Sequence, residues 1–119
     1  MIPHEFILDL LYPLPIRTQK MFGNVALYYG EKIILATRQK EDKPEDNGIW
    51  IGTKIEYHNE LKKLIPELQH LKTYNIKKWL LLHEDEPKFE ERAHDIAQLI
   101  KAHSDLIGII PKPKKKRTQ

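Results

Sequence analysis

The stretch Lys20–Arg38, KMFGNVALYYGEKIILATR, sets two short apolar runs on either side of Tyr-Gly-Glu, and its reading decides the fold. A two-residue turn with Gly30 first and Glu31 second suits type II′, in which glycine supplies the positive φ that side chains resist. That turn pairs Tyr29 with Lys32, Tyr28 with Ile33 and Leu27 with Ile34. Val25, Leu27, Ile34 and Ala36 then share one face, and Ala26, Tyr28, Ile33 and Leu35 the other. Apolar residues on both faces predict a hairpin in the middle of a sheet.

Outward from this hairpin the periodicity changes. Upstream, PHEFILDLLYPL reads as a short helix with Pro3 in its first turn, a stripe of Phe6, Ile7, Leu10 and Leu11, and a stop at Pro13 and Pro15. Downstream, Gln39–Asn47 is polar throughout, contains Pro44 and has too little apolar area to order itself, which predicts a mobile hairpin loop. GIWIGT resumes as a strand, with Ile49 and Ile51 on one face and Trp50 on the other. YHNELKKLIPEL puts Leu61, Leu64, Ile65 and Leu68 at helical spacing, with Pro66 ending the helix. IKKWLLLHE is short and continuously apolar from Trp79 to Leu82, the pattern of a buried strand. EPKFEERAHDIAQLIKAHS is the clearest helix, with Phe89, Ala93, Ile96, Ala97 and Ile100 as its stripe, acids at its start and Lys101 and His103 at its end. DLIGIIPKP reads as a short extended segment, a candidate final strand.

The order helix, three strands, helix, strand, helix needs only two layers: an antiparallel sheet with helices packed on one face, an α+β sandwich. With 119 residues, 40% hydrophobic and 31% charged, the composition is that of one domain with a modest core, placed here at residues 1–111. Phe22, Leu27, Trp79, Phe89 and Ile96 are expected in that core. The absence of cysteine excludes disulfides and thiolate chemistry and fits a reducing compartment. MIPHEFILDLLYPLPIR carries Glu5 and Asp9 within its apolar part, which fits neither a signal segment nor a membrane span, so a cytoplasmic protein without membrane contact is expected.

Five of the 20 basic residues, Lys112, Lys114, Lys115, Lys116 and Arg117, lie in KPKKKRTQ, which leaves 15 basic against 17 acidic groups in the rest of the chain. The expected picture is a mildly acidic fold with a basic, disordered tail at 112–119, able to attract phosphates nonspecifically, alone or with Arg17, Lys20 and Arg38. Tyr28, Tyr29, Trp50 and Trp79 could form a base-stacking platform on a sheet, although aromatic residues flanked by Ile and Leu more often fill cores.

Signals for catalysis are weak. His83, Glu90, Glu91 and His94 are the best local metal-ligand cluster, but they supply one helical pair where carboxylate-bridged bundles need two, and they lie on a polar helix face. HNE at residues 58–60 reads as the polar start of a helix. Ser104, the lone serine, stands between His103 and Asp105 in AHSD, a helix-terminal turn in which no triad converges. The five glycines match no phosphate-binding spacing. No catalytic residue, metal or cofactor is expected.

RTQKMFGNVALYYGEKIILATR, in which Met21, Phe22 and Gly23 lead into a strand, the Gly30 turn and a second strand, resembles the opening of the TfoX N-terminal domain family, related to bacterial competence regulators. GIWIGT, KKWLLL and the last helix are also similar to small YjbR-like proteins. The chain departs from the family at Asn24, where a second glycine is common, and in its long Gln39–Asn47 loop. The resemblance implies a two-layer domain with an antiparallel sheet and no known catalytic residues. It points to a noncatalytic interaction or regulatory module that binds a protein partner or a second copy through the sheet. A nucleic-acid-associated protein using the tail, and a small-ligand binder or enzyme, are the alternatives.

Overall fold

The computed structural model of the chain describes residues 2–21, 23–73 and 76–111. Its elements run α1 (Phe6–Leu11), β1 (Ile16–Met21), β2 (Asn24–Tyr29), β3 (Lys32–Arg38), β4 (Gly48–Ile51), α2 (His58–Leu64), β5 (Gln69–His70), β6 (Leu80–His83) and α3 (Phe89–Lys101), with single 3-10 turns at Pro44–Asp46 and Ile55–Tyr57. Every strand pairs antiparallel in one sheet of order β1-β2-β3-β4-β6-β5. Ile7 and Leu11 of α1, Leu61 and Ile65 at α2, and Phe89, Ala93, Ile96, Ala97 and Ile100 of α3 join Leu27, Leu35, Ile49, Ile51, Leu80 and Leu82 in one buried cluster. All three helices therefore cover the same face of the sheet, the two-layer α+β sandwich expected from the periodicities.

Gly30 has φ +62, and Tyr29 pairs with Lys32 and Tyr28 with Ile33 across the turn, as its chemistry predicts. The register then slips, because Leu27 faces Leu35 where Ile34 was expected. Ile34 is the extra residue of a β-bulge, and the bulge carries both Ile34 and Leu35 into the helix-side core that strict alternation would have given to only one of them.

Two strands were not expected. β1 is exposed at Arg17, Thr18, Gln19 and Lys20 and has no apolar alternation, yet it pairs with β2 along its whole length. The two-residue β5 closes the opposite edge against β6. Four further expectations need correction. Trp79 precedes β6 and is only half-buried, so the strand begins at Leu80. Leu64, the last residue of α2, is 49% exposed, while Leu61 and, beyond the helix end, Ile65 and Leu68 are buried. Among its described residues, 105–111, DLIGIIPKP contributes the bridge of Ile109 to Ile33 in place of a strand. The Gln39–Asn47 segment is held by polar contacts: the Asn47 side chain accepts from the Lys40 amide at 3.0 Å and donates to the Lys40 carbonyl at 2.7 Å, and Asp46 and Asn47 are buried. The expected core position Phe22 and the tail 112–119 lie outside the described residues. Among the described residues no helix is long and apolar enough to cross a membrane.

Candidate functional site

On the sheet face opposite the helices, a second cluster of Ala36, Trp50 and Leu81 is packed by Met21, Leu71 and Trp79. The cover is irregular chain, fastened by one carboxylate. Asp46 is fully buried, and its Oδ1 accepts the Lys72 amide at 2.8 Å while Oδ2 accepts the Thr73 amide at 2.9 Å and the Thr73 hydroxyl at 2.6 Å. The Asp46 carbonyl accepts the Trp50 indole N–H at 2.8 Å. A charged oxygen pair surrounded by donors offsets its own desolvation and joins the β3–β4 loop to the chain leaving β5.

This chain forms one wall of a cleft of about 520 Å³. Ile55, Leu71 and Ile76 give it apolar surface; His58, His70, Lys72, Thr73 and Lys77 give it polar groups, and among the described residues no carboxylate lines it. The His58 Nε2–H donates to the Lys78 carbonyl at 2.7 Å, which orients its ring 5.5 Å from that of His70. Lys62 Nζ lies 3.4 Å from His70 Nε2, and Lys72 Nζ donates to Gln69 Oε1. Burial first, and then the charges of Lys62 and His58, push His70 below the usual imidazole value.

β1 forms a different kind of surface at the far edge of the sheet. Among the described residues it pairs only with β2, so its outer backbone groups have no ladder partner. Arg17 lies over the Tyr28 ring at 4.3 Å from the centroid, and its Nη1 donates to Gln19 Oε1 at 3.4 Å.

The residues singled out in the sequence go separate ways. Gly23, with φ +82, and Gly30 serve the hairpin links, and Met21 pairs with Asn24 at the end of β1. Arg17 and Lys20 project to opposite faces of β1, since they face Tyr28 and Val25, and Arg38 is buried against Asn24 Oδ1 at 3.3 Å, so the three cations do not converge. The four aromatic residues are likewise split. Trp50 is buried and meets Trp79 edge-on at 6.4 Å, whereas Tyr29 packs on the helix side and stacks on His103 at 5.8 Å. His83 accepts the Asp85 amide at Nδ1 and donates from Nε2 to the Pro44 carbonyl, each at 3.0 Å, while Glu90, Glu91 and His94 are exposed. Among the described residues no group of three or more His, Asp or Glu side chains is placed to hold a metal ion. His103 has φ +60 at the end of α3, where its amide donates to Ile100 and that of Ser104 to Leu99, a Schellman closure; Ser104 Oγ accepts the Leu106 amide at 3.2 Å.

Sequence reasoning passed over the His58–His70 pair, and no local signal marks it. The two rings meet because Pro66 ends α2 and the chain doubles back as β5 along β6. Compared with known proteins, the chain matches no family model, no curated protein and no solved structure at a significant level.

Proposed function

We propose that this chain is a noncatalytic interaction module of the TfoX N-terminal type that docks an extended, acidic segment of a partner protein along β1. The observation that carries this reading is the edge itself: six residues long, exposed at four consecutive positions, cationic at Arg17 and Lys20, and free of acids. Strand addition satisfies the outer N–H and C=O groups of such an edge, and side-chain charge selects the partner. A second copy fits less well. Two β1 strands paired antiparallel about a two-fold axis would bring two copies of Arg17 and Lys20 to one short seam that holds no acid, and like charges juxtaposed across an interface are unfavourable. A dimer across the outer sheet face also has little to bury, since the large exposed apolar side chains, Tyr12, Ile55, Leu64, Ile76 and Ile110, all lie outside the strands.

A synthetic peptide of alternating Glu and Val, titrated at low salt, should shift the backbone amide resonances of Arg17–Met21, and Arg17→Glu with Lys20→Glu should abolish the effect. Absence of any shift there at millimolar peptide would sink the edge-docking reading. Retention of duplex DNA that falls when Lys112, Lys114, Lys115, Lys116 and Arg117 are replaced by Gln, with no peptide effect on β1, would assign nucleic-acid association instead.

A further inference from the structure

We propose that the cleft beside α2 and β5 binds a small phosphate-type oxyanion at His70, flanked by Lys72 and Lys77 of the lining and by Lys62, which stands outside the lining with its Nζ 3.4 Å from His70 Nε2. The site lies at the opposite edge of the sheet from β1 and does not rest on the docking of a partner there.

Three observations carry it. The cleft has the volume of a small-ligand site, with an apolar wall and a few converging polar groups, and among the described residues every ionisable group lining it is a base. Its donor set of two imidazoles and lysines, without a carboxylate, suits an anion and not a metal cation. The third observation is the contact between Lys62 Nζ and His70 Nε2 at 3.4 Å. An ammonium offers only hydrogens, so Nε2 is the acceptor and the His70 proton sits on Nδ1. In this state the pair is satisfied but presents only one cation.

An oxyanion entering beside the pair changes the balance. It accepts from Lys62 Nζ, and His70, taking a proton from solvent, donates to it from Nε2. Among the described residues the groups around His70 are bases: burial first, and then the charges of Lys62 and His58 from α2, disfavour a protonated ring, and Lys72 and Lys77 of the following loop line the same cleft. Binding and protonation are therefore linked, and affinity rises as pH falls through the His70 transition. Ile55, Leu71 and Ile76 are positioned to meet an apolar body attached to the anion, which favours a phosphate ester over free oxyanion.

Sulfate, doubly charged across the neutral range, serves as the first probe and phenyl phosphate as the second, both at constant ionic strength with chloride as balance. By calorimetry, sulfate should bind roughly tenfold more tightly near pH 5.5 than near pH 7.5, and in NMR titrations it should raise the His70 midpoint. Lys62→Met and His70→Gln alter solvent-accessible side chains and should melt with the wild-type chain while losing this binding. Tighter binding of phenyl phosphate than of sulfate assigns the site to phosphate esters; equal binding assigns it to free oxyanions. A His70 midpoint that sulfate moves no further than chloride does, in the wild-type chain, overturns the proposal, as does undiminished sulfate binding by folded Lys62→Met.

Discussion

Gly30 and Gly48 both occupy positive φ, but for different physical reasons. At Gly30 nothing lies within 4 Å of where a Cβ would stand, so the constraint is the backbone angle of the turn alone. At Gly48, with φ +142, a Cβ would run into the Leu82 carbonyl oxygen and come within 2.9 Å of the Glu84 amide nitrogen, because Gly48 pairs directly with His83 of β6. Neither neighbour can swing aside, since both are backbone. Gly30→Val should therefore cost about 1 kcal/mol, whereas Gly48→Ala should cost more than about 3 kcal/mol or prevent folding. Urea denaturation of the two variants checks the order, and equal midpoints would mean that β4 and β6 can separate without loss. Turn chemistry around Gly30 was legible in the sequence; the role of Gly48 was not, because its clash partner is thirty-odd residues away in the chain and meets it only in the sheet.

At the scale of elements, α3 is fastened to the rest of the fold by packing and by the ion pair of Arg92 with Glu67. Its stripe from Phe89 to Ile100 is buried as the helical period predicts, and Phe89 meets Phe6 of α1 edge-on at 5.9 Å. On its flank, Arg92 Nε lies 2.8 Å from Glu67 Oε1, Nη2 donates to Glu67 Oε2 at 3.3 Å and Nη1 to Asp95 Oδ2 at 3.0 Å, which ties α3 to the turn between α2 and β5. Desolvation pulls the Glu67 carboxyl upward, but its hydrogen bonds and the Arg92 charge outweigh it and hold the carboxyl below its usual value. A depressed folded-state value means that this contribution is fully present above the unfolded-state value and is lost as pH falls through the folded one. Wild-type Tm should thus decline on acidification below about pH 4.5, and Glu67→Gln, lacking the titrating group, should show a shallower decline over the same window. Parallel acid limbs for the two proteins would place the linkage elsewhere. The same scale shows where pattern reading stops. β1 has no apolar period, and it is a strand because the open edge of β2 supplies its hydrogen-bonding partners. The bulge at Ile34 is equally invisible to a strict period of two.

For the molecule as a whole, the outer face of the sheet is closed by chain that has little structure of its own, and Asp46 is the fastening. Asp46→Ala would leave the amides of Lys72 and Thr73 without their acceptor, at about 0.5–1.5 kcal/mol for each hydrogen bond lost, since water can reach these exposed residues. Faster amide hydrogen exchange at Lys72 and Thr73 and an altered Trp50 near-ultraviolet signal are expected, with the helix-side core retained. Unchanged exchange would show that Leu71 and Trp79 alone hold the cover in place. The sequence by itself determined the α+β class, three helices with the fully buried stripe of α3, the Gly30 turn and the strands that carry Leu27, Ile49 and Leu81, because each of these follows from local periodicity and turn chemistry within a dozen or so residues. Only the tertiary structure decided the edge strands β1 and β5, the burial of Arg38 at the end of β3 and of Asp46 in a segment that reads as solvated, and the meeting of His58 and Lys62 with His70. Those features depend on hydrogen-bond partners and charges brought together from distant parts of the chain, and a polar residue carries no periodic mark of the partner that will satisfy it.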